Sequence, residues 1–340
     1  MGVKPLIKVQ CGKETTNGSA VAADTMLLCN LDLGESDREI HIPQADHGAR
    51  IPGVLQAATT RKVMADMTLE DSDGAYFEMF PIILSMALNG AVSASEQTSG
   101  QGDYLWTFAA PLTGAEDLDT FTFEKGDDTQ AYEIAYCLAR SVDISGDCES
   151  SEVHCSANIT GDKVAQTTIT PSQTEPTAHL MDAKLTRLYI DDTWASAGDS
   201  ELEDVLVAFE FHLEGGAHHK HIGSSSKLAG SHGQGVIAAT LTLTMERTSD
   251  VATEELHYRP AADYTPDMRV VRLCVTGDQI GSGTAASLTI DMAGVWTSWH
   301  SIGDEKEGNT LDIATLTLGD DTTSGSGSLS IAVITTTSAI

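Results

Sequence analysis

Basic side chains are scarce in this 340-residue chain: 19 Lys and Arg stand against 50 Asp and Glu, a formal net charge of −31. That deficit argues against a basic nucleic-acid-binding face as the main function. A wall past which a polyanion must slide has the sign seen here, because like charge prevents sticking. Aromatic residues make only 5 %. A sugar-binding platform would have to draw on Trp106, Trp194, Trp296 and Trp299, of which only the last two are close in sequence. No run of eighteen apolar residues occurs, so no membrane-spanning helix is expected. Met1–Val21 lacks the apolar core and cleavage site of a secretory leader, so the six scattered cysteines are expected reduced, with Cys137 and Cys155 packed. There is no Walker phosphate loop, no Rossmann glycine pattern, no nucleophile elbow and no HExxH. An enzyme is not expected, and no cofactor is implied.

What the chain does have is alternation. In Ala131–Thr160 the residues Tyr132, Ile134, Tyr136 and Leu138 share one face, followed by Val142 and Ile144. Glu133, Ala135, Cys137, Ala139, Ser141, Asp143 and Ser145 share the other. A return strand places Val153, Cys155, Ala157 and Ile159 opposite Glu152, His154, Ser156, Asn158 and Thr160. A period of two over such lengths predicts a hairpin with one dry face. Tyr132, Ile134 and Tyr136 are its candidate core residues.

Other segments repeat the idiom. Strands are predicted around Ile40 and Ile42, at Val63–Leu69, Tyr104–Ala109 and Phe121–Phe123, and in the second half at Leu185–Ile190, Val205–Leu213, Ile237–Met245, Val271–Val275, Leu288–Met292, Leu311–Leu318 and Leu329–Val333. Gly74–Asn89 is the best helix, apolar nearly all round, with Phe77, Leu84 and Leu88 as core candidates. Pro81 either opens its regular part or kinks it. A short second helix is predicted over Thr248–Leu256, capped by Ser249 or Asp250. The fold class is mainly β with a flanking helix, and the order of elements suggests a duplicated β domain, with a single elaborated domain as the alternative. Residues 1–37 read as an N-terminal arm that orders against a neighbour or frays. Residues 38–180 make a first β domain with helix 74–89, and 181–340 a second with loop 214–235. Thr167–Thr177, with two prolines, reads as a linker.

Two clusters invite metal chemistry. His218, His219, His221 and His232 lie in one Gly/Ser-rich loop, but no cysteine is adjacent and the spacing fits no closed site. A flexible loop of exposed histidines is the favoured reading. Asp191, Asp192, Asp304, Glu305 and Glu307 lack any EF-type pattern and read as solvated turns.

The segment Asp127–Lys163, with AYEIAYC, SVDISGD and VHCSANITG, resembles the central region of major tail tube proteins of long-tailed, non-contractile phages. So do the helix YFEMFPIILSMALNG, the following DYLWTFAA and FTFEKG, and the late run LCVTGDQIGSGTAASLTIDMAGVW. The resemblance implies a tail-tube β-sandwich/barrel and a subunit that self-assembles into stacked rings, forming a hollow virion tail tube for DNA delivery, built in the host cytoplasm. It implies partners: other copies of the chain, a tape-measure protein, tail terminator and tip proteins, and DNA that passes without specific binding. A trimer with pseudo-sixfold symmetry is favoured over a hexamer. On this reading Asp143, Glu152 and His154 are candidates to face the lumen. Residues in 1–37, 167–177 and 214–235 are candidates to bridge rings. The opening hairpin becomes a piece of tube wall, completed by strands of neighbouring subunits. The alternative is a secreted or virion-surface β-sandwich that binds carbohydrate or protein.

Overall fold

The computed structural model describes residues 6–34, 36–45, 50–51, 53–110, 118–223, 226–259, 267–281, 284–306, 309–319 and 327–340. Its strands are β1 (Lys8–Lys13), β2 (Thr25–Leu27), β3 (Cys29–Asp32), β4 (Ser36–His41) and β5 (Thr59–Asp71). After helix α1 (Phe80–Ala87) come β6 (Ser95–Glu96), β7 (Tyr104–Ala109), β8 (Phe121–Gly126), β9 (Ala131–Asp147), β10 (Glu152–Gly161) and β11 (Val164–Thr167). The second half adds β12 (Thr186–Asp191), β13 (Leu206–Glu214), β14 (Ala217–Lys220), β15 (Ser231–Gln234), β16 (Ala238–Glu246), helix α2 (Ser249–Tyr258), β17 (Met268–Ile280), β18 (Thr284–Lys306), β19 (Asn309–Leu318) and β20 (Leu329–Thr335).

Alternation explains most of these strands. In β13, Phe209, Phe211 and Leu213 are buried while Glu210 and Glu214 are exposed. In β16, Ala239, Leu241, Leu243 and Met245 are buried between threonines. The two pair as a hairpin, Phe211 opposite Leu241. Helix α1 is shorter than predicted: Phe77–Met79 is a single 3₁₀ turn, and Pro81 sits in the first turn of α1, where a missing N–H costs nothing. All eight α1 residues are buried, and the helix packs against β9 and β7. Helix α2 is capped one residue before the predicted caps: Thr248 Oγ1 accepts from the Val251 N–H at 3.3 Å.

The mainly-β fold with a flanking helix stands, but the barrel does not. One path of pairings runs β5–β10–β9–β13–β16–β19–β18–β17–β12. Among the described residues its ends do not meet. The outer edge of β5 is taken by β3 and β4. The outer edge of β12 is covered by the chain at 200–202, with Ile190 N–H to Ser200 O at 3.1 Å and Leu202 N–H to Leu188 O at 2.8 Å. Both edges that closure needs are already occupied. The predicted hairpin β9–β10 is interior on this path, since β13 flanks β9 and β5 flanks β10. Its hydrogen bonds are completed by its own chain, not by a neighbour.

Strand β9 belongs to two sheets. Its first part pairs with β8 and β11, its second with β10 and β13. The crossing is at Tyr136, whose φ of 60° is left-handed, a costly conformation for a residue with a Cβ. A bulge follows at Arg140, where Ser141 pairs with Asn158 but Ala139 with Ile159. The two irregularities each reset the phase. Ile134 faces the main core, then Cys137 and Ala139 do, then Val142 and Ile144. Leu138 instead packs in a small satellite cluster with Leu118 and Ala217. Strict alternation had put Cys137 and Ala139 on the wet face, so that assignment is corrected.

Of the other core candidates, Ile134, Phe77, Leu84 and Leu88 are fully buried and Tyr136 nearly so. Tyr132 is only half-buried, its hydroxyl accepting from Gln130 Nε2 at 2.6 Å. The N-terminal stretch is not held back for a neighbour: β1 pairs with β8 and β2, β3 pairs with β5, and Val9, Cys11, Leu27 and Leu31 join the core. The stretch 167–177 is tied down too. Buried Glu124 accepts from Thr170 N–H and Oγ1, both at 2.7 Å, and from Gln10 Nε2 at 2.8 Å.

Candidate functional site

The strands β10, β9, β13 and β16 bury one face in the core and turn the other outward. Together these four strands contain no Lys and one Arg, the exposed Arg140 at the bulge within β9. Their outward face is hydroxyl and carboxylate. Asp143 stands opposite Ser156 on one side and His212 on the other. Ser145 stands between His154 and Glu210. The row continues into threonines, with Thr240 opposite Thr317 and Thr242 opposite Thr315, whose hydroxyls are 3.1 Å apart. Asp147, Glu152, Glu214 and Glu246 complete a surface whose charge is almost all of one sign. Asp143, Glu152 and His154, singled out from sequence, do share it.

The histidines on this face are held by carboxylates. His154 Nδ1 is 3.0 Å from Asp71 Oδ2, and its Nε2 is 3.4 Å from Glu152 Oε2. The hydrogen bond to Asp71 raises the His154 pKa, so its cationic form is favoured. His212 Nδ1 lies 2.5 Å from Asp143 Oδ1. These pairs mute part of the negative field locally without creating a cationic patch. His212 was legible from the period of its strand, and Asp71 was not, because it arrives from the end of β5.

A second constellation sits at the β9 crossing. The hairpin β14–β15 places His219 directly opposite His232. His219 Nε2–H donates to Tyr136 O at 2.8 Å, and its Nδ1 is 3.3 Å from Thr160 Oγ1. The Tyr136 hydroxyl is 3.1 Å from His232 Nδ1, and both imidazoles meet the phenol ring edge-on. From the other side Tyr136 N–H donates to Glu14 Oε1 at 2.7 Å. A glycine is needed beneath the ring: a Cβ on Gly18, itself at φ 78°, would come within 3.1 Å of it. The expectation of exposed histidines holds for His218 and His221 and is corrected for His219 and His232, which are half-buried in a paired hairpin. His219 and His232 are structural clamps on a strained residue, and His218 Nδ1 binds Gly216 O at 3.0 Å. Among the described residues no three His, Cys, Asp or Glu side chains are arranged to hold a metal ion. Asp191 accepts from the Gly198 and Ser200 N–H groups, ordering a turn, and Asp192 pairs with Arg269. The side chains of Asp304, Glu305 and Glu307 lie outside the described residues.

Burial sets the pH response of this constellation. It pushes His219 down to about 4 and the Asp162 carboxyl, which accepts from Ala229 N–H, up to about 6. The two act in opposite senses. A depressed histidine costs stability as pH falls from about 6.5 to 4, because the unfolded state takes the proton first. A raised carboxyl adds stability as pH falls from about 6 to below its unfolded value. Asp162→Asn removes the opposing slope, so relative to the wild type the variant is expected to lose roughly 2–3 kcal/mol of unfolding free energy between pH 6.5 and 4. Urea melts of the two proteins across that window measure it; a variant whose pH profile runs parallel to that of the wild type contradicts the assignment.

The tryptophans form no exposed platform. Trp106, Trp296 and Trp299 are buried, the last two packed edge-to-face at 5.2 Å, and Trp194 is half-buried against Gly327. No known family model matches the chain, and no curated protein matches it.

Proposed function

We propose that this chain is a structural subunit that self-assembles into rings stacked as a hollow tube, in the manner of the tail tubes of long-tailed, non-contractile phages. The observation that supports this reading is the outward face of β10, β9, β13 and β16: broad, wet, rigidly backed by the core, and almost free of cations. Turned toward a lumen, it presents carboxylates and hydroxyls to a passing polyanion. It offers neither the Lys/Arg contacts that hold phosphates nor the aromatic platforms that stack bases. DNA then moves through without specific binding. Rigidity matters as much as charge, since all strands of this face are paired on both edges within the chain. A trimeric ring is the favoured assembly and a hexamer the second. A tape-measure protein occupies the lumen before DNA, and terminator and tip proteins close the ends. The virion tail is the site of action.

Sedimentation velocity over a wide concentration range tests the assembly step. Discrete ring-sized species that give way to longer particles as concentration rises are expected. A single monomeric boundary at every concentration and salt contradicts the proposal.

A further inference from the structure

The strand axis of this molecule carries a charge asymmetry. At one end β5 runs six residues past Ala65, its last partner in β10, paired only with β4. At roughly 3.3 Å per residue this projects about 20 Å. The projecting ribbon exposes Ile40, Ile42, Ile51 and Leu55, the last two more than 70 % accessible. Arg50 and Arg61 are exposed on it, and Lys62 is close enough to help depress both His219 and His221; β4 contributes Asp37 and Glu39, and Glu39 Oε1 lies 3.6 Å from Arg61 Nη1. The β14–β15 hairpin lies against the same ribbon, Val63 N–H donating to Lys227 O, and adds exposed Lys220 and Lys227. The stretches 47–63 and 215–235 contain no Asp or Glu at all, in a chain with 50 of them.

The opposite end is acidic in balance. The turn between β9 and β10 holds Asp147, Glu149 and Glu152, and the approach to β13 holds Glu201, Glu203 and Asp204, against Lys184 and Arg187, the latter 3.8 Å from Glu201. Backbone bonds join these segments, Cys148 N–H to Val207 O at 2.9 Å and Ala183 N–H to Ser151 O at 3.1 Å. Exposed Asp73 lies at the same end, beyond the last residue of β5. A two-stranded ribbon with four bare aliphatic side chains is marginal in water by itself and calls for a covering surface.

We infer that the basic, apolar ribbon of one copy docks on the acidic end of a second copy, so that subunits stack head to tail along their strand axes. The contact is heterologous: the two patches are different surfaces of the same chain, so each copy keeps one patch free and the stack propagates. Opposed charge sets polarity and register, and burial of the four aliphatic side chains supplies affinity. This inference rests on the tube reading for its biological setting but makes a separate physical claim.

The test uses two surface variants of the full chain, Arg61→Glu/Lys62→Glu and Glu149→Lys/Glu203→Lys, each checked for wild-type circular dichroism. Each alone is expected to cut the sedimentable fraction by about tenfold or more. A mixture of the two is expected to restore stacking with the variants in alternation, because the reversed ribbon of the first meets the reversed end of the second and the native ribbon of the second meets the native end of the first, and all four substitutions in one chain are expected to restore it as well. A wild type that stacks end to end but never forms hollow tubes leaves the docking intact and removes the tube reading. Variants that stack as well as the wild type overturn the docking and leave the tube reading standing. A wild type that never associates overturns both.

Discussion

Replacing Ile134 by Asp is expected to abolish folding of the subunit. Ile134 is fully buried where β9 is paired on both sides, opposite Phe123 in β8 and Val164 in β11. Its Cγ2 lies so close to the neighbouring strand that a Cβ on Gly161 would come within 2.5 Å of it. The space is filled on all sides, and no cation is there to receive a carboxylate. Loss of the aliphatic group costs about 2–4 kcal/mol, and burying an unpaired charge adds several more. The sum is of the order of the whole stability of an ordinary domain, about 5–15 kcal/mol. Gln166→Asp, on the exposed face of β11, carries the same new charge and is expected to fold normally. Circular dichroism and urea melts of the pair decide it; a cooperative wild-type-like transition in Ile134→Asp contradicts the placement of the core.

The second large effect is expected at Glu14. Its side chain is buried and accepts four hydrogen bonds: from Tyr136 N–H and Gly18 N–H, both at 2.7 Å, Thr120 Oγ1 at 2.8 Å and Thr122 Oγ1 at 2.9 Å. The Tyr136 bond fixes the left-handed residue that carries β9 from one sheet into the other. In Glu14→Ala the hydroxyls can turn to other acceptors, but the two backbone N–H groups cannot. Each orphaned donor costs about 1–3 kcal/mol, so a loss of about 3–5 kcal/mol is expected. The Tyr136 backbone then keeps only the His219 bond to its carbonyl, with His232 still on its hydroxyl. Amide exchange in β14 and β15 is therefore expected to speed up more than in β13 and β16. A uniform acceleration across all four strands contradicts the local role given to Glu14.

Much of the fold is legible in the sequence because a period of two is a direct print of a half-buried sheet. The stretch Val205–Leu213 shows this cleanly: alternating bulky residues are buried in β13, and the acidic residues and His212 between them are wet. Legibility fails where the chain changes phase. Tyr136 and Arg140 each shift the register of β9 by one residue, and neither a left-handed tyrosine nor a bulge has a sequence mark of its own. Closure is not legible for a related reason. Nothing local to 200–202 shows that it will cap β12, and nothing local to β3 shows that it will cap β5. Such edges are decided by contacts far apart in sequence. The candidate site divides in the same way. Asp143, Glu152 and His154 follow from alternation, whereas Asp71, which holds His154, comes from the far end of β5, and Glu14, which holds Tyr136, from the residue after β1. The histidine loop looked mobile by composition because Gly and Ser set its local propensity. The docking of His219 on Tyr136 is a tertiary contact that overrides it.

The central claim is that copies of this chain enclose a channel walled by the face of β10, β9, β13 and β16. Negative-stain microscopy of the concentrated protein tests it most directly. The account predicts rings and hollow tubes with a stain-filled pore wide enough for duplex DNA, about 20 Å across, and strand directions set by head-to-tail stacking. Solid filaments without a pore, or isolated particles at every concentration, would contradict it.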